Sequence, residues 1–298
     1  TEVRGLYNLL QARRIVVLHS PSGAGKSSLV NAGLIPKLKA SKFDVWKTIR
    51  VNLEPAGLEG VPPDTNRYLL SALLSMEEEL PPERRRAPAE LAKIGLSSYL
   101  QTRPRRKGSV EHSVVLLFDQ FEEVLTVAPL AVEQKRAFFR SLGEALENES
   151  YWALFVIRED HLAAFTPYRD LIPTHLSNTF RLDLLGLAAA RQAAEQLALS
   201  GGREFPGVER LVRDLSTVQV QQSDGSFAPE QGLYVEPVQM QVVCRRLWQA
   251  MPEDDRSIDD EDIASYADVT QALGGYYAES VARIAQGRGV TVERALRD

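Results

Sequence analysis

The chain reads as an α/β protein built on a five-stranded parallel sheet with helices on both faces, and three features of the sequence predict it. A glycine-rich loop, Ser20-Pro21-Ser22-Gly23-Ala24-Gly25-Lys26-Ser27-Ser28, directly follows the apolar run Ile15-Val16-Val17-Leu18. Two further continuous apolar runs, 114–118 and 154–157, end in charged residues, Asp119-Gln120-Phe121-Glu122-Glu123 and Arg158-Glu159-Asp160. Two other segments, 43–53 and 179–184, alternate instead. Continuous runs belong to strands buried on both faces, and alternating ones to strands with a wet face or an edge position.

Taken in order, residues 2–12 bring Val3, Leu6, Leu9 and Leu10 to one side of a helix. After the glycine-rich loop, the pattern predicts a helix over 28–38 that ends near Pro36. In 43–53, Phe43, Val45, Ile49, Val51 and Leu53 should face one way and Asp44, Thr48, Arg50 and Asn52 the other. A Pro/Gly loop over 54–65 precedes helices over 68–79 and 89–100. The clusters Arg84-Arg85-Arg86 and Arg103-Pro104-Arg105-Arg106-Lys107 carry no interleaved aromatics, so they read as solvated connectors rather than a nucleic-acid contact. Phe138, Leu142 and Leu146 mark an amphipathic helix between two of the buried strands.

Beyond Gly186 the strand signal stops. Leu187, Ala190, Ala194 and Leu197 mark one helix and 208–215 a second, while the Gln/Ser/Gly-rich stretch 216–232 is expected to be a mobile loop. Pro237 opens a third helix, in whose first turn its missing N–H is tolerated. The acidic run 253–262 lacks the central glycine and terminal glutamate spacing of a calcium loop. It reads as the solvated start of a helix over 264–284, broken at Gly274-Gly275.

The three central strands put Ser20, Asp119 and Arg158 at their C-terminal tips, the edge where open α/β sheets bind ligands. The glycine-rich loop is a phosphate-binding loop. Its amides can close on a polyphosphate only where side chains are small, Lys26 supplies the mobile cation, and Ser27 offers a hydroxyl to Mg²⁺. Ser22 to Ser28 open a helix whose positive end favours the same anion. The usual pattern is G-x-x-x-x-G-K-[ST], and Ser20 stands where its first glycine would be.

A metal-bound nucleotide needs an oxygen ligand opposite Ser27, and Asp119, at the tip of a buried strand, provides it. Glu122 and Glu123, one turn on, are both candidates for the base that orients water. Arg158 either caps a carboxylate, Glu159 or Asp160, or touches a γ-phosphate. The four histidines, His19, His112, His161 and His175, show no metal spacing.

Composition narrows the class. The 298 residues are 44% hydrophobic and 25% charged with a net charge of -5, ordinary for a globular chain of two or three domains and unlike a body built to coat nucleic acid. A single cysteine, Cys244, excludes an internal disulfide framework and points to a reducing, cytoplasmic setting. No apolar run approaches the ~20 residues that span a bilayer, and residues 1–20 lack a signal-peptide pattern. Thr1 is not a natural start and 292–298 looks like a helix just beginning, so the sequence is expected to be part of something longer.

Several separated segments together resemble the STAND class of P-loop NTPases, the signal-transduction ATPases with numerous domains that include NLR immune receptors, and most of all its bacterial novel STAND branch. They are the stretch from Ser22 through Pro36, Asp119-Gln120-Phe121-Glu122-Glu123, the strand-terminal Arg158, Tyr234-Val235-Glu236-Pro237, and Cys244-Arg245-Arg246-Leu247-Trp248. The resemblance implies an AAA-like sheet in which the arginine-bearing strand lies between the phosphate-loop strand and the acidic strand. It implies an NTPase domain over 1–185, a helical lid over 186–252 with Pro237 beside the adenine, and the start of a winged helix over 253–298. It further implies ATP and ADP with Mg²⁺ as ligands, slow hydrolysis, self-association on activation, and effector and sensor domains at the N- and C-terminal ends. The trigger ligand stays unknown, and a place in antiphage defence is the expected setting. The rival expectations are an AAA-like loader or remodeller working on DNA and a scaffold whose nucleotide is purely structural.

Overall fold

The computed structural model describes residues 2–52, 58–104, 113–252, 254–266 and 274–275. The chain divides into two compact units, residues 1–22 with 26–183, and residues 184–298 with 23–25.

The first unit carries a five-stranded sheet of β1 (Ile15–Ser20), β2 (Asp44–Ile49), β3 (Val114–Phe118), β4 (Tyr151–Arg158) and β5 (Thr179–Arg181), in the order β2-β3-β4-β1-β5. The ladders between them are parallel. The arginine-bearing β4 therefore lies between the phosphate-loop strand β1 and the acidic strand β3, as the resemblance implied. Ser20 is directly opposite Arg158, and Phe118 opposite Phe155, so the three strand tips share one edge.

Alternate residues of the buried strands feed two cores. Val17, Leu116, Phe118, Phe155 and Ile157 pack on one side with the helices Arg67–Glu78 and Val132–Glu147. On the other side, Val16, Leu18, Val115, Leu117, Leu154 and Val156 meet Leu6 and Leu10 of the helix Glu2–Arg13 and Leu34 and Leu38 of the helix after the phosphate loop. The strand runs look continuously apolar because both sides are covered. Gly143 lets the helix Val132–Glu147 approach closely, since a Cβ there would lie 1.8 Å from the Leu171 carbonyl oxygen.

Three segments differ from their sequence patterns. The helix after the phosphate loop does not end near Pro36. It begins over Lys26–Ser28, widens into a π-helical stretch, Leu29–Leu34, where the Ile35 amide donates to the Val30 carbonyl five residues back, and runs on as α-helix over Ile35–Ala40. Pro36 sits in the first turn of that last segment, and the widened turn before it accommodates the missing N–H.

In β2 the alternation breaks. Its register against β3 shifts between Trp46 and Ile49. Phe43 and Val45 consequently join the helix Glu2–Arg13 side while Trp46, Ile49 and Val51 join the other. An irregularity of one residue reverses which side chains face which core. Of the wet face or edge position that its alternation allowed, β2 takes the edge; its Leu53 and the loop 53–57 lie outside the described residues. The third difference concerns Arg103, expected in a solvated connector. It is buried, with its guanidinium 4.0 Å above the Trp46 ring and donating to the Met76 carbonyl and the Glu79 carboxylate, while 105–112 lie outside the description.

The second unit has its own core around Ala194, Leu211, Val235, Val243 and Leu247. Its helices Leu187–Ser200, Val208–Ser216 and Pro237–Ala250 follow a two-residue strand, Leu185–Gly186, paired antiparallel with Tyr234–Val235. The expected mobile loop over 216–232 is instead an antiparallel hairpin, Thr217–Gln221 against Phe227–Gln231. Its turn is built by Asp224, whose carboxylate accepts from the Ser226 amide and hydroxyl, and by Gly225 at φ 84. An Asp-Gly pair between alternating segments is a hairpin signal, here masked by the polar composition. The acidic run ends in the helix Asp260–Tyr266, and the remainder of the expected winged helix beyond it lies outside the described residues apart from 274–275. Among the described residues no helix is long and apolar enough to cross a membrane.

Candidate functional site

The site is assembled at the C-terminal tips of β1, β3 and β4. Gly23 and Gly25 take φ of 78 and 91, the left-handed region that a side chain would strain, which is why the loop needs glycine at both. Ser22, Ser27 and Ser28 are exposed and Ala24 is buried. Lys26 is the first residue of the helix, and its ammonium turns back on the end of β1. It donates to the Ser20 hydroxyl at 2.9 Å, the Pro21 carbonyl at 3.1 Å and the Ser20 carbonyl at 3.3 Å. Burial holds the Lys26 ammonium below its usual pKa, opposed by the negative field of Glu122 and assisted by the positive field of Arg158. The three groups thus share one electrostatic neighbourhood.

The acidic turn is held from beneath by Phe121, which is fully buried with Phe118, Phe138, Phe139, Phe155 and Phe165 around its ring. Backbone bonds fix it on both sides, since the Asp119 amide donates to the Ile49 carbonyl of β2 and the Phe121 amide to the Val156 carbonyl of β4. Gln120, between them, takes a left-handed φ of 51.

Glu122 and Glu123, equivalent by sequence, are separated by this geometry. Glu122 is buried and its carboxylate accepts from the Arg158 amide at 3.3 Å. Glu123 points the other way, toward the end of β2. Its two oxygens receive Arg50 Nη2 at 2.6 Å and Nε at 3.2 Å, and Asn52 Nδ2 at 3.1 Å. Arg50 also reaches the Gln120 side chain, and its backbone is anchored by Ser71 and Ser75 of the helix Arg67–Glu78. Arg50 and Asn52 were read only as the polar side of β2. Their signal was position, because polar residues ending a parallel strand stand at the ligand edge of the sheet.

Arg158 is half exposed and pairs bidentately with Asp160, at 2.7 and 3.2 Å. Of the two sequence readings, the structure contains the carboxylate pairing, in a position opposite Ser20. Ser27 and Asp119 line the same small cavity together with Val30, Asn31, Phe118 and Val156, so a hydroxyl and a carboxylate suited to a hard cation face a common space. Pro237 opens the helix Pro237–Ala250 of the second unit, with Glu236 as its extended N-cap. Cys244 lies in that helix, and burial pushes its thiol from 9.0 up to about 11, as for a packed rather than a reactive cysteine.

A family model described as novel STAND NTPase 1 matches residues 1–296. Among solved structures the chain is similar to the Walker-type ATPase PABY2304 of Pyrococcus abyssi, with TM-score 0.55 and 12% identity over 99% of this chain and 75% of that one. It is also similar to the Aeropyrum pernix ORC2 protein in its ADPNP–ADP complexes, with TM-score 0.55 and 15% identity over 99% and 77% of the two chains. The Aeropyrum pernix ORC1 protein in complex with DNA gives 0.52 and 13% over 97% and 68%. No match is found among curated protein sequences.

Proposed function

The chain belongs to the novel STAND NTPase 1 family, and from that premise we propose that it is the ATP-driven switch and assembly module of a larger NLR-like signalling protein. ADP holds the closed form, ATP the open and self-associating one, and slow hydrolysis resets it. Effector and sensor domains at its two ends and a role in antiphage defence complete the reading, with the trigger left as an unidentified ligand.

The observation that carries the proposal is the division of labour in the acidic turn. Glu122 is buried, accepts from the Arg158 amide and acts on Lys26 through its negative field, whereas Glu123 is committed to Arg50 and Asn52. Glu122 is therefore assigned as the base that orients water, and Glu123 as the residue that holds the turn. Ser22 to Ser28 bind the phosphates through loop amides and hydroxyls, and Lys26 faces the β- and γ-phosphates. Ser27 and Asp119 would hold Mg²⁺, which when bound neutralises charge developing on the phosphate oxygens. Arg158, released from Asp160, contacts the γ-phosphate, and Pro237 packs beside the adenine.

Single substitutions test this assignment. Glu122→Gln should lower ATP turnover by about 10² or more, the usual contribution of a positioned base, while ATP still binds. Glu123→Gln keeps partners for Arg50 and Asn52 and should retain most turnover. Equal losses in the two variants, or the larger loss in Glu123→Gln, would refute it. A second reading, a loader or remodeller acting on DNA, draws on the Aeropyrum pernix ORC1 protein, which was solved with DNA. ATP turnover raised by added duplex DNA would favour that reading.

A further inference from the structure

The residue that departs from the phosphate-loop pattern is the one that touches the essential lysine. Ser20 is fully buried, and its hydroxyl has both its roles committed: it donates to the Pro21 carbonyl at 2.8 Å and accepts from Lys26 Nζ at 2.9 Å. An ammonium has three N–H donors and no acceptor. Lys26 has three acceptors at the strand end, two carbonyls and the Ser20 hydroxyl, and the hydroxyl is the shortest contact of the three. With glycine at position 20 only the two carbonyls would remain, leaving one N–H for an incoming phosphate.

We propose that Ser20 is a positioning residue that docks the Lys26 ammonium on the end of β1 and so sets the affinity of the site for nucleoside di- and triphosphates. It does this by competing with the phosphate oxygens for the lysine, and it acts on nucleotide only through Lys26. The consequence runs against the usual direction of a loop substitution, because removing a buried hydroxyl here should strengthen binding. The proposal rests on the reading of this loop as a nucleotide site.

The test titrates Mg-ADP and a non-hydrolysable ATP analogue into the wild-type protein and into Ser20→Ala, Ser20→Gly and Ser20→Cys, with melting temperatures of the nucleotide-free proteins measured alongside. Alanine and glycine remove the acceptor, and cysteine keeps the size with a weak one. We expect Kd to fall by about tenfold, or ~1.4 kcal/mol, in the alanine and glycine variants and by less in the cysteine variant. The KM for ATP should fall with it at unchanged kcat, the mark of added uniform binding. None of the three should melt higher than wild type without nucleotide. Variants that bind as wild type does or more weakly, with KM raised or kcat lost, overturn the assignment of Ser20 while leaving the site itself standing. A wild-type protein that binds neither nucleotide overturns the underlying reading as well.

Discussion

Replacing Phe121 with alanine should damage stability and chemistry together. The ring is fully buried, stacked on Phe165 with a 13° interplanar angle at 5.6 Å, and flanked by Phe118, Phe138, Phe139 and Phe155. Truncating a phenylalanine in such a site costs about 3–5 kcal/mol through lost transfer energy and the cavity left behind. For a domain of this size each kcal/mol lowers the melting temperature by roughly 2–4 °C, so a fall of about 10 °C is expected by circular dichroism. Phe121 lies between Asp119 and Glu122, so the acids it carries should also lose their fixed placement. Turnover well below the melting transition should then fall by at least an order of magnitude, since displacements of about 1 Å can cost 10²-fold. Phe165→Ala is the control, because that ring is as deeply buried and forms the other half of the same stacked pair but lies outside the turn. Its stability should drop comparably with much less effect on turnover. The reasoning fails if Phe121→Ala melts within 3 °C of wild type, or if both variants lose turnover equally.

Two further outcomes follow. Lys26→Ala should abolish the stabilisation by ATP or ADP, which at a thousand times Kd contributes about 4 kcal/mol to the folded state. Equal melting shifts in mutant and wild type would exclude Lys26 from the site. Cys244, whose thiol burial raises to about 11 from 9.0, keeps its proton in the folded protein at a pH where the unfolded chain begins to lose it, so the folded state loses stability as pH rises from about 9 toward 11. At pH 8 its thiolate fraction should be about 100-fold lower than in urea, with alkylation by iodoacetamide slowed at least as much. Native and unfolded rates within tenfold of each other by mass spectrometry would contradict that burial.

The sheet was legible in the sequence because its central strands are covered on both sides, which forces continuous apolar runs, and because charged residues cannot continue such runs past the sheet edge. That located Asp119 and Arg158, and the glycine-rich loop after the first run located Ser20. The faces of β2 were not legible. The shift between Trp46 and Ile49 arises from pairing with β3, and no local pattern announces it. Arg103 was misread for a related reason: a guanidinium can be buried when Trp46, Met76 and Glu79 receive it, and those partners are remote in sequence. Glu122 and Glu123 could not be told apart because adjacent residues in a turn diverge only once Phe121 is fixed between aromatic rings. Which carboxylate turns to the Arg158 amide and which to Arg50 is decided by the core, not by the motif.

The energetics of the proposed switch divide into a part that reads the nucleotide and a part that sets the resting equilibrium. ATP and ADP differ by one phosphate, and only a group that meets that phosphate can discriminate them. Arg158 is the assigned group, and its bond to Asp160 is so exposed that solvent screening leaves little to overcome in breaking it. By the same argument an arginine in so wet a position supplies only a small part of the roughly 5.5 kcal/mol needed to move a two-state equilibrium from 1:99 to 99:1. The balance of that difference has to come from the other groups that meet the γ-phosphate, because apolar surface covered in one state and uncovered in the other contributes equally with either nucleotide and sets only the resting equilibrium. At ~25 cal/mol per Å², 5 kcal/mol corresponds to about 200 Å², roughly the surface of one buried aromatic side chain. The second unit exposes Leu197, Leu199, Phe227, Leu233 and Trp248 to solvent, so covering a fraction of that surface on assembly is enough to bring the resting equilibrium within reach of a modest preference for ATP. On this view the contacts to the γ-phosphate, Arg158 among them, decide which nucleotide counts, and the apolar surface of the helical unit sets how near the protein rests to its switching point.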